Sequence, residues 1–206
     1  MDIHARIQQF LQHVIPSPLG RGWRIAPGEG GAKVIGPHPN PLPEGEGITK
    51  AGVVPFIRQD TQLSYYFMKP VARHAHLAAP KFQLCKGTRM VRLPDGSWQD
   101  MGSGMNGEDI KESLAETALR EGIEELGLKL ENIKRLFDAG PYGFSSAVTG
   151  KGKKMWLFAA EMASQDFSDD VAPTTAECTW LTLDEFAVAG REDHVAILRD
   201  IEEKLG

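Results

Sequence analysis

Three glutamates stand close together in the stretch Arg120-Glu121-Gly122-Ile123-Glu124-Glu125-Leu126-Gly127. If this stretch is helical, Glu121, Glu124 and Glu125 are spaced i, i+3 and i+4 and lie on one helix face. Like charges at these spacings repel, so the helix gains nothing from them unless a cation lies against that face. Hard carboxylate oxygens are the ligands that Mg²⁺ and Mn²⁺ prefer. The spacing predicts a divalent-cation site, whereas a lone Glu-Glu pair would indicate only a solvated helix face.

The pattern extends further than the three glutamates. Glu112 is followed after seven residues by Arg120-Glu121, after two more by Glu124-Glu125, and after one more by Gly127. This arrangement resembles the signature box of the Nudix hydrolases, which cleave nucleoside diphosphates linked to another moiety. The resemblance implies an α+β fold of the Nudix type, an α/β/α sandwich with a mixed β-sheet and the box helix on one face.

The resemblance also implies a reaction, the hydrolysis of a pyrophosphate bond in a nucleoside diphosphate–X substrate. Mg²⁺ or Mn²⁺, held by Glu121, Glu124 and Glu125 with help from Glu112, would bridge phosphate oxygens and activate a water. Glu121 or Glu177 would accept the proton, since Glu177 stands in a passage that resembles the family's late Glu-then-Trp strand. Arg120 is expected to orient a neighbouring carboxylate.

A basic segment precedes the box. Lys86-Gly87-Thr88-Arg89 resembles the Pro-Lys-Gly segment of many family members, with Cys85 in place of the proline. In those proteins the backbone turns sharply at the glycine and a carbonyl beside it helps to hold the metal, which implies a metal contact at Gly87. Lys86 and Arg89 are predicted phosphate partners, because arginine binds phosphate in bidentate fashion and lysine supplies a point charge.

The chain departs from the family pattern in front of the box. Asn106 stands where the family has a glycine, and residues 88–111 are best explained as an insertion between Gly87 and Glu112. Within it, Pro94-Asp95-Gly96 predicts a turn that joins two short strands into a hairpin. Trp98 is predicted either to stack on a nucleotide base or to cap that hairpin.

The substrate is less well defined. Pro141-Tyr142 lies slightly before the position at which the family selects its substrate, where tyrosine favours dinucleoside polyphosphates and proline favours ADP-ribose. Gly152-Lys153-Lys154 followed by a strand resembles the diadenosine-polyphosphate branch. Tyr142 and Lys154 are therefore predicted substrate contacts, and a dinucleoside polyphosphate is favoured. The alternatives are an ADP-ribose or nucleotide-sugar pyrophosphatase, and a non-catalytic Nudix-fold module that binds a nucleotide.

Composition narrows the class of protein. A net charge of −5 argues against a general binder of nucleic acid or anionic membranes, which leaves a small-molecule nucleotide as the expected partner. The two cysteines, Cys85 and Cys178, predict no disulfide framework and favour a reducing cytoplasm. No apolar run approaches the 18 residues of a membrane span, so a soluble cytoplasmic protein is expected.

The chain divides into three predicted regions. Residues 1–15 have the apolar spacing of an amphipathic helix, whose stripe would pack on the main domain or on a second copy in a homodimer. Residues 16–50 form a Pro/Gly-rich linker or an inserted repeat, in which a packed element is not expected. Residues 51–206 form the Nudix-type hydrolase domain.

Local signals predict the main elements of that domain. Ser113 and Glu116 form a capping box, and Gly127 can end the box helix in a left-handed conformation. A closing helix is predicted over 193–205, with His194 on its surface, and His4 of the first helix is also expected at the surface. Strands are predicted over 51–57, 62–72, 133–138, 155–161 and 175–181.

Overall fold

The computed structural model describes residues 2–16, 22–25, 48, 50–60, 62–72, 79–101, 110–145 and 152–206. Within these ranges the helices are α1 (Ile3–Gln12), α2 (Leu114–Leu126), α3 (Leu183–Ala189) and α4 (Glu192–Leu205), with one 3₁₀ turn at Leu130–Asn132. The strands are β1 (Val14–Pro16), β2 (Gly22–Ile25), β3 (Lys50–Gln59), β4 (Gln62–Pro70), β5 (Gly87–Thr88), β6 (Met90–Arg92), β7 (Trp98–Asp100), β8 (Ile110–Lys111), β9 (Ile133–Ser145), β10 (Gly152–Met162) and β11 (Thr175–Leu181). Each predicted strand and helix of the domain is confirmed, most with longer bounds.

The main sheet is mixed, as predicted. Its strands run in the order β1-β2-β9-β10-β3-β4-β11, and β5 pairs with the start of β3. β3 and β10 pair in parallel, while their other neighbours pair antiparallel. The two central strands therefore lie side by side in the middle of the sheet, with β9 and β4 on their outer edges.

Both faces of the sheet are covered by helices. Side chains of a strand alternate between the two faces, and β10 shows this alternation along its length. Its residues Met155 and Leu157 pack in one core with α3 and α4, whereas Trp156 and Phe158 pack in another with α1 and α2. This arrangement is the predicted α/β/α sandwich, with the box helix α2 on one face.

The ends of α2 are capped as the local sequence predicts. Ser113 Oγ accepts from the Glu116 amide at 3.1 Å, and Glu116 Oε2 accepts from the Ser113 amide at 2.6 Å. Gly127 ends the helix with φ 70°. Gly122 faces β3 so closely that a Cβ there would lie 2.6 Å from Val53 Cγ1. The helix therefore begins and ends at fixed residues and lies tightly on the sheet, which holds its glutamates in place.

The insertion before the box forms a small second sheet. β6 pairs with β7 and with β8, both antiparallel. The predicted hairpin turn is confirmed: Gly96 has φ 85° and donates its amide to the Leu93 carbonyl at 2.9 Å. Asn106, the position at which the family has a glycine, lies outside the described residues.

The N-terminal part of the chain is more closely integrated than predicted. β2 lies inside the region interpreted as a linker, and its residues Gly22–Arg24 pair with β9. The prediction that no packed element occurs there is wrong for these residues, because Trp23 and Ile25 favour strands and the edge of β9 offers unpaired backbone groups. α1 packs on this domain through Ile7, in the core of α2.

Among the described helices, none has the length and apolar character that a membrane crossing requires.

Candidate active site

Arg120 lies at the centre of the predicted site, buried beneath the glutamates. Its Nε donates to Glu112 Oε1 at 2.8 Å, and its Nη1 donates to Glu121 Oε1 at 2.7 Å and to Glu124 Oε2 at 2.9 Å. Its Nη2 donates to the Thr88 carbonyl at 2.8 Å. One guanidinium thus contacts three of the four glutamates predicted to bind metal and fixes their orientation relative to the strand that carries Thr88.

Glu112 lies on the inner side of Arg120, with a side chain that is 0% exposed. Its Oε2 accepts from the Met90 amide at 2.9 Å and from Thr117 Oγ1 at 3.1 Å, while Oε1 is bonded to Arg120. Both carboxylate oxygens therefore have protein partners. Glu112 accepts from Nε and Nη2 of Arg120, whereas Glu121 and Glu124 accept from Nη1. Its part in holding the metal stays a prediction.

Gly87 lies directly against Glu121. A Cβ at Gly87 would lie 1.8 Å from Glu121 Cδ and Oε1, a distance that no side chain tolerates. Gly87 belongs to β5 and is not among the described glycines with positive φ, which are Gly96, Gly127 and Gly140. Gly87 thus lies in a strand, and a side chain there would force the Glu121 carboxylate, which Arg120 Nη1 holds at 2.7 Å, to shift.

Burial raises the pKa of Glu121 to about 7, against the opposing charge of Arg120 and with a further contribution from Glu125. Burial also raises the pKa of Glu125. Glu125 Oε2 accepts from the Lys86 amide at 3.3 Å, whereas Glu124 is more open, with a side chain that is 44% exposed. Two neighbouring carboxylates are thus held where their charged forms are costly, and a bound cation would reverse this cost.

The carboxylate oxygens of the box are the type of ligand that a hard divalent cation prefers. Glu121, Glu124 and Glu125 supply oxygen ligands on one helix face, and two of them have pKa values raised by burial. Among the described residues, no three carboxylate, imidazole or thiol groups already converge as a metal site requires. Arg120 Nη1 forms ion pairs with both Glu121 and Glu124.

The two basic residues before the box take different positions. Lys86 lies beside Glu125, and its pKa is lowered to about 8 by burial and by the nearby charge of Arg191. Arg89 is only 4% exposed and donates from Nε to the Glu112 carbonyl at 2.8 Å. Lys86 therefore lies at the carboxylate cluster, where a phosphate contact was predicted, whereas Arg89 lies inside the fold and holds the backbone before α2.

Trp98, on β7, is linked to the site by its contact with His4 of the first helix. Its ring stacks on the ring of His4, with centroids 3.9 Å apart and planes inclined by 16°. His4 is 8% exposed, and its Nδ1 lies 3.2 Å from Glu112 Oε1. The prediction of a surface His4 is wrong, and neither of the roles predicted for Trp98 included this contact.

Three further predicted site residues make their contacts elsewhere. Tyr142 packs in the core of α3 and α4, where its hydroxyl donates to Asp200 Oδ2 at 2.6 Å. Lys154 is exposed on the β9–β10 hairpin. Glu177 is 51% exposed and pairs with Lys69 at 3.3 Å. The structure does not bring these side chains into contact with the box glutamates.

His194 lies next to the site although it was predicted at the surface. It is 0% exposed, and its Nδ1 accepts from the Leu84 amide at 3.0 Å. Burial, followed by the charge of Lys86, lowers its pKa to about 3. A sequence signal existed, because His194 continues the apolar stripe of Leu198 and Ile201 at helical spacing. The surface prediction was wrong because it followed the polarity of histidine and not its position.

Comparison with known proteins identifies the fold. No family model matches the sequence, and no curated protein is similar to it in sequence. The NUDIX domain of Shewanella oneidensis NrtR, solved with ADP ribose, superposes with a TM-score of 0.52 at 16% identity, over 77% of this chain and 88% of that one. A C. elegans Ap4A hydrolase superposes with a TM-score of 0.52 at 15% identity, over 77% and 97%. A NUDIX hydrolase from Listeria monocytogenes superposes with a TM-score of 0.51 at 18% identity, over 76% and 93%. The chain has the Nudix fold.

Proposed function

We propose that this chain is a divalent-cation-dependent hydrolase of the Nudix type, which cleaves a pyrophosphate bond in a nucleoside diphosphate linked to a second moiety. The observation that carries the proposal is the pair Glu121 and Glu125, neighbours on one face of α2 whose pKa values are both raised by burial. Carboxylates with these properties are typical of metal and catalytic sites. The fold and the box sequence agree with this interpretation.

In the proposed site, Glu121, Glu124 and Glu125 hold Mg²⁺ or Mn²⁺, with the backbone at Gly87 beside them. The bound cation supplies charge neutralisation for phosphate oxygens and a water of lowered pKa. Arg120 keeps the carboxylates oriented through its Nε and Nη1 bonds. The ammonium of Lys86, next to Glu125, attracts and orients the polyphosphate.

We assign the proton acceptor to Glu121 in preference to Glu177. Glu121 lies within the carboxylate cluster, where it accepts from Arg120 Nη1 at 2.7 Å and lies against the backbone of Gly87. Glu177 is 51% exposed and paired with Lys69. The sequence left open whether Glu121 or Glu177 accepts the proton, and the surroundings of the two carboxylates favour Glu121.

For the substrate, we favour a dinucleoside polyphosphate on the strength of the Gly152-Lys153-Lys154 passage. ADP-ribose is the alternative, in agreement with Pro141. The fold comparison favours neither, since the Ap4A hydrolase and the ADP ribose-bound domain have the same TM-score of 0.52. A binding module without catalysis is a third candidate, but it has no need of the complete set of Arg120 and three glutamates.

A substrate panel tests the proposal. Purified protein is incubated with a dinucleoside tetraphosphate, ADP-ribose and a nucleotide sugar, in Mg²⁺, in Mn²⁺ and with a chelator. Metal-dependent release of nucleoside monophosphate, or of another nucleotide product of pyrophosphate cleavage, is expected. Binding of a nucleotide without cleavage would identify the non-catalytic module, and neither binding nor cleavage by folded protein would refute the proposal.

We further propose a cytoplasmic enzyme whose partner is a nucleotide and not a nucleic acid or a membrane, in agreement with the net charge of −5. The homodimer stays a prediction. Because α1 already packs on its own domain through Ile7, a dimer would need another surface. Light scattering on the purified chain measures its mass and decides between one copy and two.

A further inference from the structure

The first helix of the chain packs directly on the box helix. Ile7 of α1 is 0% exposed and belongs to the same core as Leu114 and Leu119 of α2. Phe10 and Leu11 pack against that core at its margin. α1 therefore occupies a defined place against α2, although the Pro/Gly-rich segment and strands β1 to β8 separate the two in sequence.

His4 is the polar side chain that α1 brings to this contact. Its Nδ1 lies 3.2 Å from Glu112 Oε1, and the two side chains are 9% and 0% exposed. The contact lies within ion-pair distance, and an ionised carboxylate faces Nδ1 favourably at this distance only if Nδ1 carries a proton. Trp98, stacked on the imidazole at 3.9 Å, holds the plane of the ring.

His4 contacts the same oxygen of Glu112 that holds Arg120. Glu112 Oε1 also accepts from Arg120 Nε at 2.8 Å. The same guanidinium reaches Glu121 and Glu124 through Nη1. A chain of polar contacts thus leads from α1 to two of the glutamates proposed to bind the cation: the His4–Glu112 contact comes first, and the hydrogen bonds of Arg120 follow.

We propose that His4 is a positioning residue of this site. Through the 3.2 Å contact of its Nδ1 with Glu112, from a ring that Trp98 holds in place, it fixes the Glu112 carboxylate and through it the direction of Arg120. The inference rests on the proposed function, because the oriented carboxylates are those assigned to the cation. Residues behind metal ligands typically change metal affinity by about 10- to 100-fold when they are lost.

Two substitutions at His4 separate positioning from packing. His4→Phe keeps a flat ring against Trp98 but removes the donor. His4→Asn supplies an amide N–H close to the place of Nδ1 but leaves no ring. His13→Phe is the matched control, because His13 follows the same helix and is exposed, with its Nδ1 2.7 Å from the Gln9 carbonyl oxygen.

The measurements are Mn²⁺ binding to metal-free protein by electron paramagnetic resonance, and kcat and KM on the best substrate of the panel. We expect His4→Phe to weaken Mn²⁺ binding and to lower kcat, each by about tenfold, with KM little changed. His4→Asn should recover most of both losses, and His13→Phe should match the wild type. Trp98→Leu keeps the His4 imidazole but removes the ring that stacks on it, so it should weaken Mn²⁺ binding by a smaller factor than His4→Phe. This variant replaces His4→Phe in the test if His4→Phe does not fold.

Wild-type Mn²⁺ affinity and kcat in a folded His4→Phe variant would overturn the inference. So would a His4→Asn variant as impaired as His4→Phe, since that result assigns His4 to packing alone. If Trp98→Leu is the variant that folds, unchanged Mn²⁺ affinity in it has the same consequence. Should the wild type bind Mn²⁺ but cleave no substrate, the catalytic proposal fails while the Mn²⁺ titrations still decide the role of His4.

Discussion

Replacement of Gly87 by alanine is the most local perturbation that the structure offers. The added Cβ would lie 1.8 Å from Glu121 Cδ and from its Oε1. Ordinary van der Waals contact begins near 3.4 Å, so the carboxylate or strand β5 must move by roughly 1.6 Å, the difference between 3.4 and 1.8 Å. The three atoms nearest to the added methyl group all belong to the Glu121 carboxylate.

The magnitude follows from that displacement. Misplacement of a catalytic group by about 1 Å can cost about 100-fold in rate, so we expect kcat of Gly87→Ala to fall by about 100-fold. Forcing extra volume into a packed site typically costs about 1–3 kcal/mol of stability. The variant should therefore fold, with a reduced free energy of unfolding, and bind Mn²⁺ more weakly.

The assay is steady-state turnover on the best panel substrate, with urea unfolding as the test of folding. Gly143→Ala is the matched control: it is also a strand glycine, but a Cβ there would meet no described atom within 4 Å. We expect that variant to keep wild-type kcat. A folded Gly87→Ala variant with unchanged kcat would refute the reasoning that Glu121 must stay where the glycine leaves room.

Three other predictions concern single side chains. Glu177→Gln should change kcat by less than about twofold, because Glu177 is exposed and paired with Lys69, as exposed pairs contribute little; a loss comparable to that of Gly87→Ala would restore it as the base. Ser113→Ala removes the acceptor for the Glu116 amide and should lower the free energy of unfolding by about 1 kcal/mol in a urea titration, and no change would contradict the role of the cap. The pKa of His194 is lowered from 6.5 to about 3, so its neutral form contributes stability that is present above pH 6.5 and is lost as the pH falls towards 3. Between pH 7.5 and pH 5 this loss is roughly 2 kcal/mol. In urea titrations, the free energy of unfolding of the wild type should therefore fall by that much more than that of His194→Asn over this pH range. The same pH dependence in both proteins would contradict the role of His194.

Local signals in the sequence predicted the elements that local interactions form. The capping box of Ser113 and Glu116 and the left-handed Gly127 need no distant partner, so α2 is readable from its own residues. The turn at Gly96 is equally local. The fold class followed from the resemblance of the box to that of the Nudix family, which implies the sandwich around its helix.

Distant contacts account for what the sequence did not show. The resemblance assigned Glu112 to the metal site, but it carried no information on which side of the Arg120 guanidinium the carboxylate lies. The direction of Arg89, into the fold and onto the Glu112 carbonyl, depends on the packing of β6 and β8 around it. Strand β2 forms because β9 offers an open edge, a tertiary fact that outweighs the proline and glycine around it.

The two buried histidines were readable in part. His4 shares its helix face with Ile7 and Leu11, and His194 shares its face with Leu198 and Ile201. Helical spacing thus placed both among apolar residues. Their partners, the Glu112 carboxylate and the Leu84 amide, lie far away in sequence and only the fold brings them together.

The central claim is that the box glutamates perform cation-dependent hydrolysis of a pyrophosphate bond. The most direct measurement is Mg²⁺-dependent release of nucleoside monophosphate by wild type, by Glu125→Gln and by Glu131→Gln, an exposed glutamate outside the box. Loss of a cation ligand removes several kcal/mol of transition-state stabilisation, so Glu125→Gln should lose about 100-fold or more while its fold persists. Glu131→Gln should keep wild-type turnover. A folded Glu125→Gln variant with undiminished Mg²⁺-dependent release would contradict the account.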